Sequence, residues 1–343
     1  MERAVRRFLI SAAIGALGIG AAAAQDLKIA LIYGKTGPLE AYAKQTEAGL
    51  RLGFEYATKG TMMVDGRKIV LIVKDDQTKP DVAKTALAEA YEDDKADIAI
   101  GTTSSAAALA MLPVAEEHKK ILLVEPAVAD QITGEKWNRY IFRTARNSSQ
   151  DAISNAVAIG KPGVTVATLA QDYAFGRDGV AAFKAALAQT GATLAAEEYA
   201  PMNTTDFTAP AQRLFDALKD KPGKKVIWVI WAGASPTTKL QDMNPGRYGI
   251  ELSTGGNILP AMAAVTAVSK AKSTDTEKLI SAMEGMEFDT PKGKMVFRKE
   301  DHQALQSMYH FKVKVDPNVA WAVLEPVREL KIEDMDVPIR NKR

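Results

Sequence analysis

The chain has 343 residues, of which 47% are hydrophobic and 25% charged, with a formal net charge of +2 and no cysteine. The lack of cysteine excludes disulfides, thiolate metal sites and a lipid-modified N-terminal cysteine. Lysines and arginines form no run longer than a pair, so the basic surface that binds a phosphate backbone is missing and no nucleic acid partner is expected. This length predicts about two domains.

The first 24 residues are predicted to form a cleaved export signal. Three arginines precede an uncharged apolar run, 8–20, that is too short to span a bilayer, and the segment closes on Ala22-Ala23-Ala24. This arrangement is typical of a secretory signal peptide that is cleaved after about Ala24. The ordinary export route is favoured over a twin-arginine route at Arg6-Arg7, and the other alternative is a buried N-terminal helix of the mature fold. The mature chain is then expected in the periplasm, with no net charge and no membrane-spanning segment.

Short apolar runs alternate with longer alanine-rich segments of helical period along the rest of the chain. The predicted strands are Leu27–Tyr33, Ile69–Asp75, Asp97–Gly101, Ile121–Glu125, Val164–Leu169 and Val226–Trp231. The predicted helices are Ala43–Ala57, Pro80–Asp93, Ala106–His118, Ser149–Ile159, Gly176–Gln189 and Pro210–Lys219. Continuous apolar strands are typical of parallel sheets covered on both faces, and the crossovers have the length of right-handed βαβ units. The predicted fold class is α/β, with a boundary between two similar lobes near 143–146.

Hydroxyl side chains follow the third predicted strand. Ligands of open α/β sheets bind beyond the carboxyl ends of the strands, where loops lead into helix N-termini. The loop 102–105 reads Thr-Thr-Ser-Ser and meets free backbone N–H groups and the positive end of a helix dipole, which suits a carboxylate. The alternative is that Ser104 or Ser105 only caps the following helix.

Aromatic residues recur at the strand ends in both halves. The first loop, 33–42, ends in Tyr42, the loop 171–176 contains Phe175, and the sixth strand ends in Trp231. Each ring alone is explained by core packing, whereas their joint placement at one rim favours an apolar ligand surface.

No pattern for catalysis or metal binding accompanies these loops. The P-loop, the dinucleotide fingerprint after the first strand and the nucleophile elbow are all absent. His118, His302 and His310 lie far apart in sequence and are interpreted as surface residues of helices or strands. The pair Asp75-Asp76 at a strand end is interpreted as a solvated turn, and the alternative is that it reaches the rim of the ligand cleft. No enzyme, cofactor or metal is therefore expected, and a hydrolase is the least favoured function.

Seven stretches, taken in order from about Asp26 to the C-terminus, resemble the leucine/isoleucine/valine-binding protein family, the type I periplasmic substrate-binding proteins of ABC transporters. They are KIALIYGKTGPLEAY, IAIGTTSSAAALAMLPVAEE, EPAVADQIT, FRTARNSSQDA, LAQDYAFGRDG, STDTEKLISAMEGMEF and FRKEDHQALQSMYHF. The resemblance implies two doubly wound parallel-sheet lobes joined by a multi-strand hinge. It also implies a small-molecule solute, with an inner-membrane permease and its ATPases as partners. A periplasmic sensor that presents its ligand to a receptor is the alternative.

The resemblance divides the chain into two discontinuous lobes. The first lobe is expected to span 25–143 with a returning segment near 261–290, and the second 144–258 with part of 291–343. The linkers are then expected near 143–146, 255–260 and 290–310.

Carried over from the family, the aromatic residue that covers the ligand corresponds to Tyr42, and the carboxylate-binding serine to Ser105 with Ser104 beside it. Backbone contacts fall on Ala127 and Ala129, where amino-acid binders usually have a threonine at the latter position.

The second lobe is expected to contribute Phe175 and Trp231. The acidic residue that pairs the ligand's ammonium is expected near 254–256, which holds no carboxylate; Glu251 is the nearest. A buried ammonium without a counter-charge is costly, so a free α-amino acid is disfavoured. An aromatic acid is the favoured ligand, followed by a branched-chain amino acid and then by an amide or urea-like solute.

The chain departs from the family after Pro260, where it is shorter by roughly fifty to sixty residues. A lost strand would leave a hole and a new sheet edge in the second lobe. Two alternatives follow: a compact variant that closes the gap differently, or a degraded paralogue that no longer binds.

Overall fold

The structure is a computed structural model that describes residues 24–233, 235–245, 248–252, 259–314, 318 and 323–341. The predicted signal peptide, apart from Ala24, lies outside the described residues, as does the segment 253–258. None of the helices within the described ranges is long and apolar enough to cross a membrane.

The first half of the chain builds a six-stranded sheet in the order β2-β3-β1-β4-β5-β6. Its strands are β1 (Leu27–Tyr33), β2 (Met63–Val64), β3 (Arg67–Asp75), β4 (Ile98–Gly101), β5 (Ile121–Val124) and β6 (Ile141–Arg143). All neighbours are parallel except β2 and β3. The helices between them are α1 (Glu40–Ala57), α2 (Pro80–Glu92) and α3 (Ser105–His118). Because helices cover the sheet, β1, β4 and β5 are buried and apolar except for the partly buried Lys28.

The second half builds a four-stranded parallel sheet in the order β10-β9-β7-β8. Its elements are α4 (Ser148–Ile159), β7 (Val164–Gln171), α5 (Ala174–Leu187), β8 (Thr193–Ala200), α6 (Thr208–Lys219), β9 (Lys224–Ile230), α7 (Thr237–Asp242) and β10 (Gly249–Leu252). Side chains of α4 and α5 pack on one face around Trp228, and α6 packs on the other around Trp231.

The chain then returns to the first sheet. It forms α8 (Leu259–Ala271), α9 (Thr276–Met283), β11 (Glu287–Thr290), β12 (Gly293–Phe297) and β13 (Ala304–Leu305), whose buried side chains join the core around β1. The strands β14 (Met308–Lys314) and β15 (Val323–Leu330) form an antiparallel hairpin beside α4. The chain crosses between the two cores near Arg143 and again near His302, and these two crossings run side by side. They are linked by a 3.1 Å hydrogen bond from the Arg143 N–H to the His302 carbonyl.

The α/β prediction is confirmed, and all six predicted strands and all six predicted helices are present with ends shifted by a few residues. The unpredicted β8 lies at an edge of its sheet and is only partly buried, so its apolar signal is weak. The unpredicted β6 is only three residues long.

Two predictions about polar residues are wrong. His302 is fully buried, stacks on the Phe142 ring with centroids 3.8 Å apart, and has its Nδ1 3.0 Å from the Ile141 carbonyl oxygen. Asp76 is also fully buried; it accepts hydrogen bonds from the Thr102 hydroxyl and from the Thr78 N–H. Both side chains are buried because the tertiary fold supplies hydrogen-bond partners, which no local pattern reveals.

Candidate functional site

Loops at the carboxyl ends of the two sheets contact each other, and we call the boundary between these loops the cleft. The Gln131 backbone N–H and side-chain amide donate to Asp178 of α5 at 3.1 and 2.9 Å. Val128, in the loop after β5, belongs to the same buried cluster as Phe175. A Cβ built on Gly233 would lie 3.1 Å from the Pro38 carbonyl oxygen, so the loop after β9 also rests on the first loop. These contacts place the loops of both sheets around one shared space.

The hydroxyl loop at 102–105 lies on the first-sheet side of this cleft, and both of its serines are only 1% exposed. Ser104 Oγ accepts from the Ala107 N–H at 3.4 Å and thereby caps the 14-residue helix α3. Ser105 Oγ accepts from the Ala129 N–H at 3.2 Å. Each serine oxygen therefore accepts a backbone hydrogen bond while its own proton can still be donated. Two such donors at a helix N-terminus suit an anionic oxygen.

Asp76 holds the beginning of this loop in place. It accepts a hydrogen bond from the Thr102 hydroxyl, and burial raises the pKa of its carboxyl above the ordinary value, against the opposing effect of the hydrogen bonds from Thr102 and Thr78. Thr102 is thus tied to the neighbouring loop after β3.

The two alanines predicted to offer backbone contacts lie in the loop after β5 and are buried. The Ala127 N–H donates to the Thr102 carbonyl at 3.1 Å, and the Ala129 N–H donates to Ser105. The Ala129 carbonyl accepts from Arg143 Nη1 at 2.6 Å. Both alanines therefore bond to the hydroxyl loop, and Ala129 also connects it to Arg143 at the chain crossing. Their contact with a ligand stays a prediction.

Aromatic side chains approach from both sheets. Tyr42 is partly buried and lies close to Tyr173. Burial raises the pKa of the Tyr173 phenol, and the nearby Tyr42 raises it further. The Phe175 ring lies 5.9 Å from the Tyr173 ring, centroid to centroid. Tyr173 is not among the residues that the sequence predicted to contact the ligand, although it stands two residues before Phe175.

Trp231 is placed differently from the other predicted rings. Its side chain is 4% exposed and packs edge-on against Phe207 at 5.0 Å, in the core cluster on the α6 side of the second sheet. Gln171 holds Ala232, the residue after Trp231. The Gln171 side-chain amide accepts from the Ala232 N–H at 3.1 Å and donates to the Ala232 carbonyl at 2.7 Å. Whether Trp231 contacts a ligand stays a prediction. The expected acidic position, 254–256, and the Glu251 side chain lie outside the described structure.

A group of polar residues at the two chain crossings was not predicted from the sequence. We call it the polar crossing cluster, and it consists of Glu125, Thr133, Arg143, Thr144, Arg146, Lys292, Gln303 and Gln306. Arg143 is fully buried and donates to Gln303 Oε1 at 2.6 Å, to the Ala129 carbonyl and to the Thr133 hydroxyl. The Thr144 hydroxyl donates to Glu125 Oε2 at 2.8 Å. Arg143-Thr144 were visible in the sequence only as boundary residues, because their partners lie up to 162 positions away.

Gly176 permits a close approach between α5 and the end of β7. A Cβ on this residue would lie 1.9 Å from the Gln171 carbonyl oxygen and 2.9 Å from the Gln171 nitrogen. Gly176→Ala is therefore expected to lower the free energy of unfolding by about 1–3 kcal/mol, measured by urea denaturation, because the backbone must move. Gly249→Ala is the control: its Cβ would come no closer to another atom than 3.4 Å, at Val226, so a change within about 0.5 kcal/mol is expected. Equal stability of both variants would contradict the close approach.

Two α/β units that close over a cleft at the carboxyl ends of parallel strands define a two-lobed binding protein. The chain belongs to the periplasmic binding protein family, which it matches over residues 26–244 and 238–318. Membership in this family confirms the predicted resemblance and a binding protein in place of an enzyme.

Several relatives are similar to this chain. The Leu/Ile/Val-binding protein homolog 3 of Brucella melitensis is 26% identical over 214 residues, which cover 62% of this chain and 57% of the relative. The Leu/Ile/Val-binding protein BraC3 of Rhizobium johnstonii is 27% identical over 231 residues, which cover 66% of this chain and 60% of the relative. The chain thus spans less than two thirds of these curated relatives.

Solved structures extend the similarity. The crystal structure of an ABC-type branched-chain amino acid transporter from Rhodopseudomonas palustris is 73% identical, with a TM-score of 0.79 and coverage of 93% of this chain and 100% of that one. A solute-binding protein of R. palustris BisB5 in complex with 3,4-dihydroxybenzoic acid is 24% identical, with a TM-score of 0.75 and coverage of 90% and 98%, and shares the fold.

Proposed function

We propose that this chain is the extracytoplasmic solute-binding component of an ABC-type uptake system. It captures a small carboxylate-bearing solute in the cleft and delivers it to an inner-membrane permease and its ATPases. The observation that carries the proposal is the pair of buried hydroxyls, Ser104 and Ser105, at the N-terminus of α3 inside the closed cleft. The 73% identical relative, described as an ABC-type transporter, supports the transport role.

The two sheets with their helices act as the lobes, with the predicted boundaries 25–143 and 144–258 and with hinge crossings at 143–146 and about 290–310. The solute docks on Ser105 and Tyr42 of the first lobe, and the second lobe then closes over it with Phe175. A solute that binds the closed form more tightly shifts the population toward it, and the permease reads that form.

An aromatic acid is the proposed solute. Tyr42, Tyr173 and Phe175 offer ring surface on both sides of the cleft. Three buried carboxylates follow strands of the first sheet: Asp76, Glu125 and Asp130. Each already accepts a hydrogen bond from a threonine or serine hydroxyl, and burial raises the pKa of all three. None is therefore placed as a ready partner for an ammonium group.

A branched-chain amino acid is the second candidate. One observation favours it: the 73% identical structure is described as a branched-chain amino acid transporter. That ligand requires a counter-charge for its ammonium, which the segment around 254–256 does not contain.

Ser105→Ala is expected to weaken binding of the carboxylate solute by at least tenfold in isothermal titration calorimetry. The reason is that a hydrogen bond to a charged group contributes about 1.5–3 kcal/mol. Ser281→Ala, which removes an exposed hydroxyl from α9, is the matched control and should bind like the unchanged protein. Unchanged affinity in Ser105→Ala would contradict the carboxylate site.

The solute class is tested by thermal-shift melts of protein purified from the periplasm of an expression host. The panel contains aromatic acids, branched-chain amino acids, amides and short carboxylates, since a ligand of the folded state raises the melting temperature. A shift by aromatic acids alone supports the first candidate, and a shift by leucine or valine alone supports the second. The absence of a cooperative melt would indicate a degraded paralogue.

A further inference from the structure

Two hydrogen bonds between Gln131 and Asp178 join the two halves of the chain across the cleft. Gln131 lies in a short 3₁₀ turn, Asp130–Ile132, which follows β5 and precedes the first chain crossing. Its backbone N–H donates to Asp178 Oδ2 at 3.1 Å, and its side-chain amide donates to Asp178 Oδ1 at 2.9 Å. Asp178 belongs to α5, which packs on the second sheet. A single residue beside the first sheet therefore binds both oxygens of a carboxylate beside the second.

An apolar contact lies next to these two hydrogen bonds. Phe175 and Asp178 are three residues apart on α5, so their side chains share one face of the helix. Val128 and Gln131 are also three residues apart, in the chain that follows β5. Phe175 belongs to the same buried cluster as Val128, while Asp178 binds Gln131. One face of α5 is therefore matched to the segment 128–131 by both packing and hydrogen bonding.

The turn that carries Gln131 is fixed from its other side. The preceding residue, Asp130, is buried and accepts from the Ser149 N–H at 2.9 Å and from the Ser149 hydroxyl at 2.5 Å. Arg340 Nε, near the C-terminus, lies 3.4 Å from Asp130 Oδ2. Ser149 begins α4 shortly after the first crossing, so these bonds anchor the turn at the crossing. The bonds to Asp178 join the anchored turn to the next helix.

Hydrogen bonds to an ionised carboxylate are stronger than those between neutral groups, and a pair of them also fixes direction. Resting on the proposed function of the cleft, we infer that Gln131 and Asp178 form a latch, which holds the two lobes in the closed form and slows release of the solute. The latch acts on closure and not on recognition, so neither residue has to touch the solute. Its loss should therefore raise the dissociation rate for every solute that the cleft accepts and leave the order of affinities unchanged.

The experiment measures association and dissociation rates by stopped-flow tryptophan fluorescence, with the solute of the panel that binds best. Asp178→Ala removes both acceptors and is expected to raise the dissociation rate about tenfold, with the association rate within about threefold of the unchanged protein. Gln131→Ala keeps the backbone donor, so a smaller rise is expected. The double variant should release no faster than Asp178→Ala, since the two residues act as one unit. Asp216→Ala, which removes an exposed carboxylate from α6, is the matched control.

An unchanged dissociation rate in Asp178→Ala overturns the inference. Effects of Gln131→Ala and Asp178→Ala that simply add in the double variant also overturn it, because they would show two independent roles. If Asp178→Ala does not fold, Asp178→Asn replaces it: the variant keeps the shape but turns one acceptor into a donor that faces a donor of Gln131. It should release the solute faster, and an unchanged rate contradicts the latch.

Failure of the proposed function has a different result, in which the unchanged protein binds no member of the panel. The latch is then judged without solute, by the radius of gyration from small-angle X-ray scattering. Asp178→Ala should have a larger radius than the unchanged protein and the Asp216→Ala control, because its lobes separate more often. Equal radii would overturn the inference.

Discussion

Arg143→Met is expected to lower the free energy of unfolding by about 3–5 kcal/mol, the range found when one partner of a buried charged network is removed. The guanidinium is fully buried, and burial lowers the pKa of Arg143 to about 10. Its removal deletes the 2.6 Å hydrogen bonds to the Gln303 amide oxygen and the Ala129 carbonyl. These two acceptors then keep only their longer bonds of 3.2 Å, from the Thr133 hydroxyl and the Ile132 N–H. Because Ala129 also donates to Ser105, solute binding should weaken as well.

Urea denaturation at neutral pH measures this effect, and Arg139→Met provides the matched control. Arg139 makes two hydrogen bonds of 2.6 and 2.8 Å to Glu277, but its side chain is 48% exposed. Loss of that surface pair should therefore cost less than about 1 kcal/mol. Similar losses in the two variants would show that Arg143 does not hold the crossing together.

Glu125→Gln is expected to become more stable than the unchanged protein as the pH rises, by about 3 kcal/mol above pH 7. Burial raises the pKa of Glu125 from 4.5 to about 7, outweighing the Thr144 hydrogen bond and the charges of Lys292, Arg146 and Arg143. Each pKa unit corresponds to about 1.4 kcal/mol. Since the folded state binds this proton more tightly than the unfolded state, its contribution is complete below pH 4.5 and is lost as the pH rises to about 7.

The check is a series of urea denaturation curves between pH 4 and pH 8, with the difference between variant and unchanged protein plotted against pH. Glu55→Gln, at an exposed position on α1, is the control for the loss of one carboxylate. A flat difference for Glu125→Gln would mean that the folded protein stabilises the ionised carboxylate as well as water does.

Much of the fold could be predicted from local patterns. The buried strands of the first sheet are continuous apolar runs, and strand β1 was predicted with its observed bounds, Leu27–Tyr33. Edge elements were harder to predict, because β8 is only partly buried and its sequence alternates less clearly. The predicted lobe boundaries follow from the family resemblance and stay predictions.

The candidate site was predicted less completely than the fold. The loop at 102–105 could be found because hydroxyl residues between a strand and a helix indicate a cap or an anion site whatever surrounds them. The choice among its hydroxyls could not be predicted, because each bond to Asp76 or Ala129 joins positions more than twenty residues apart. Tyr173 was missed for the same reason, because Tyr42, which lies close to it in the fold, is distant in the sequence.

Local sequence patterns were enough to predict the alternation of strands and helices, the hydroxyl loop and the aromatic residues at the strand ends, since these features depend on neighbouring residues. The burial of Asp76 and His302, and the hydrogen bonds by which Arg143 joins the two crossings, became visible only in the folded chain. The physical reason is that burial and hydrogen bonding of a polar group depend on which distant segments the fold brings against it.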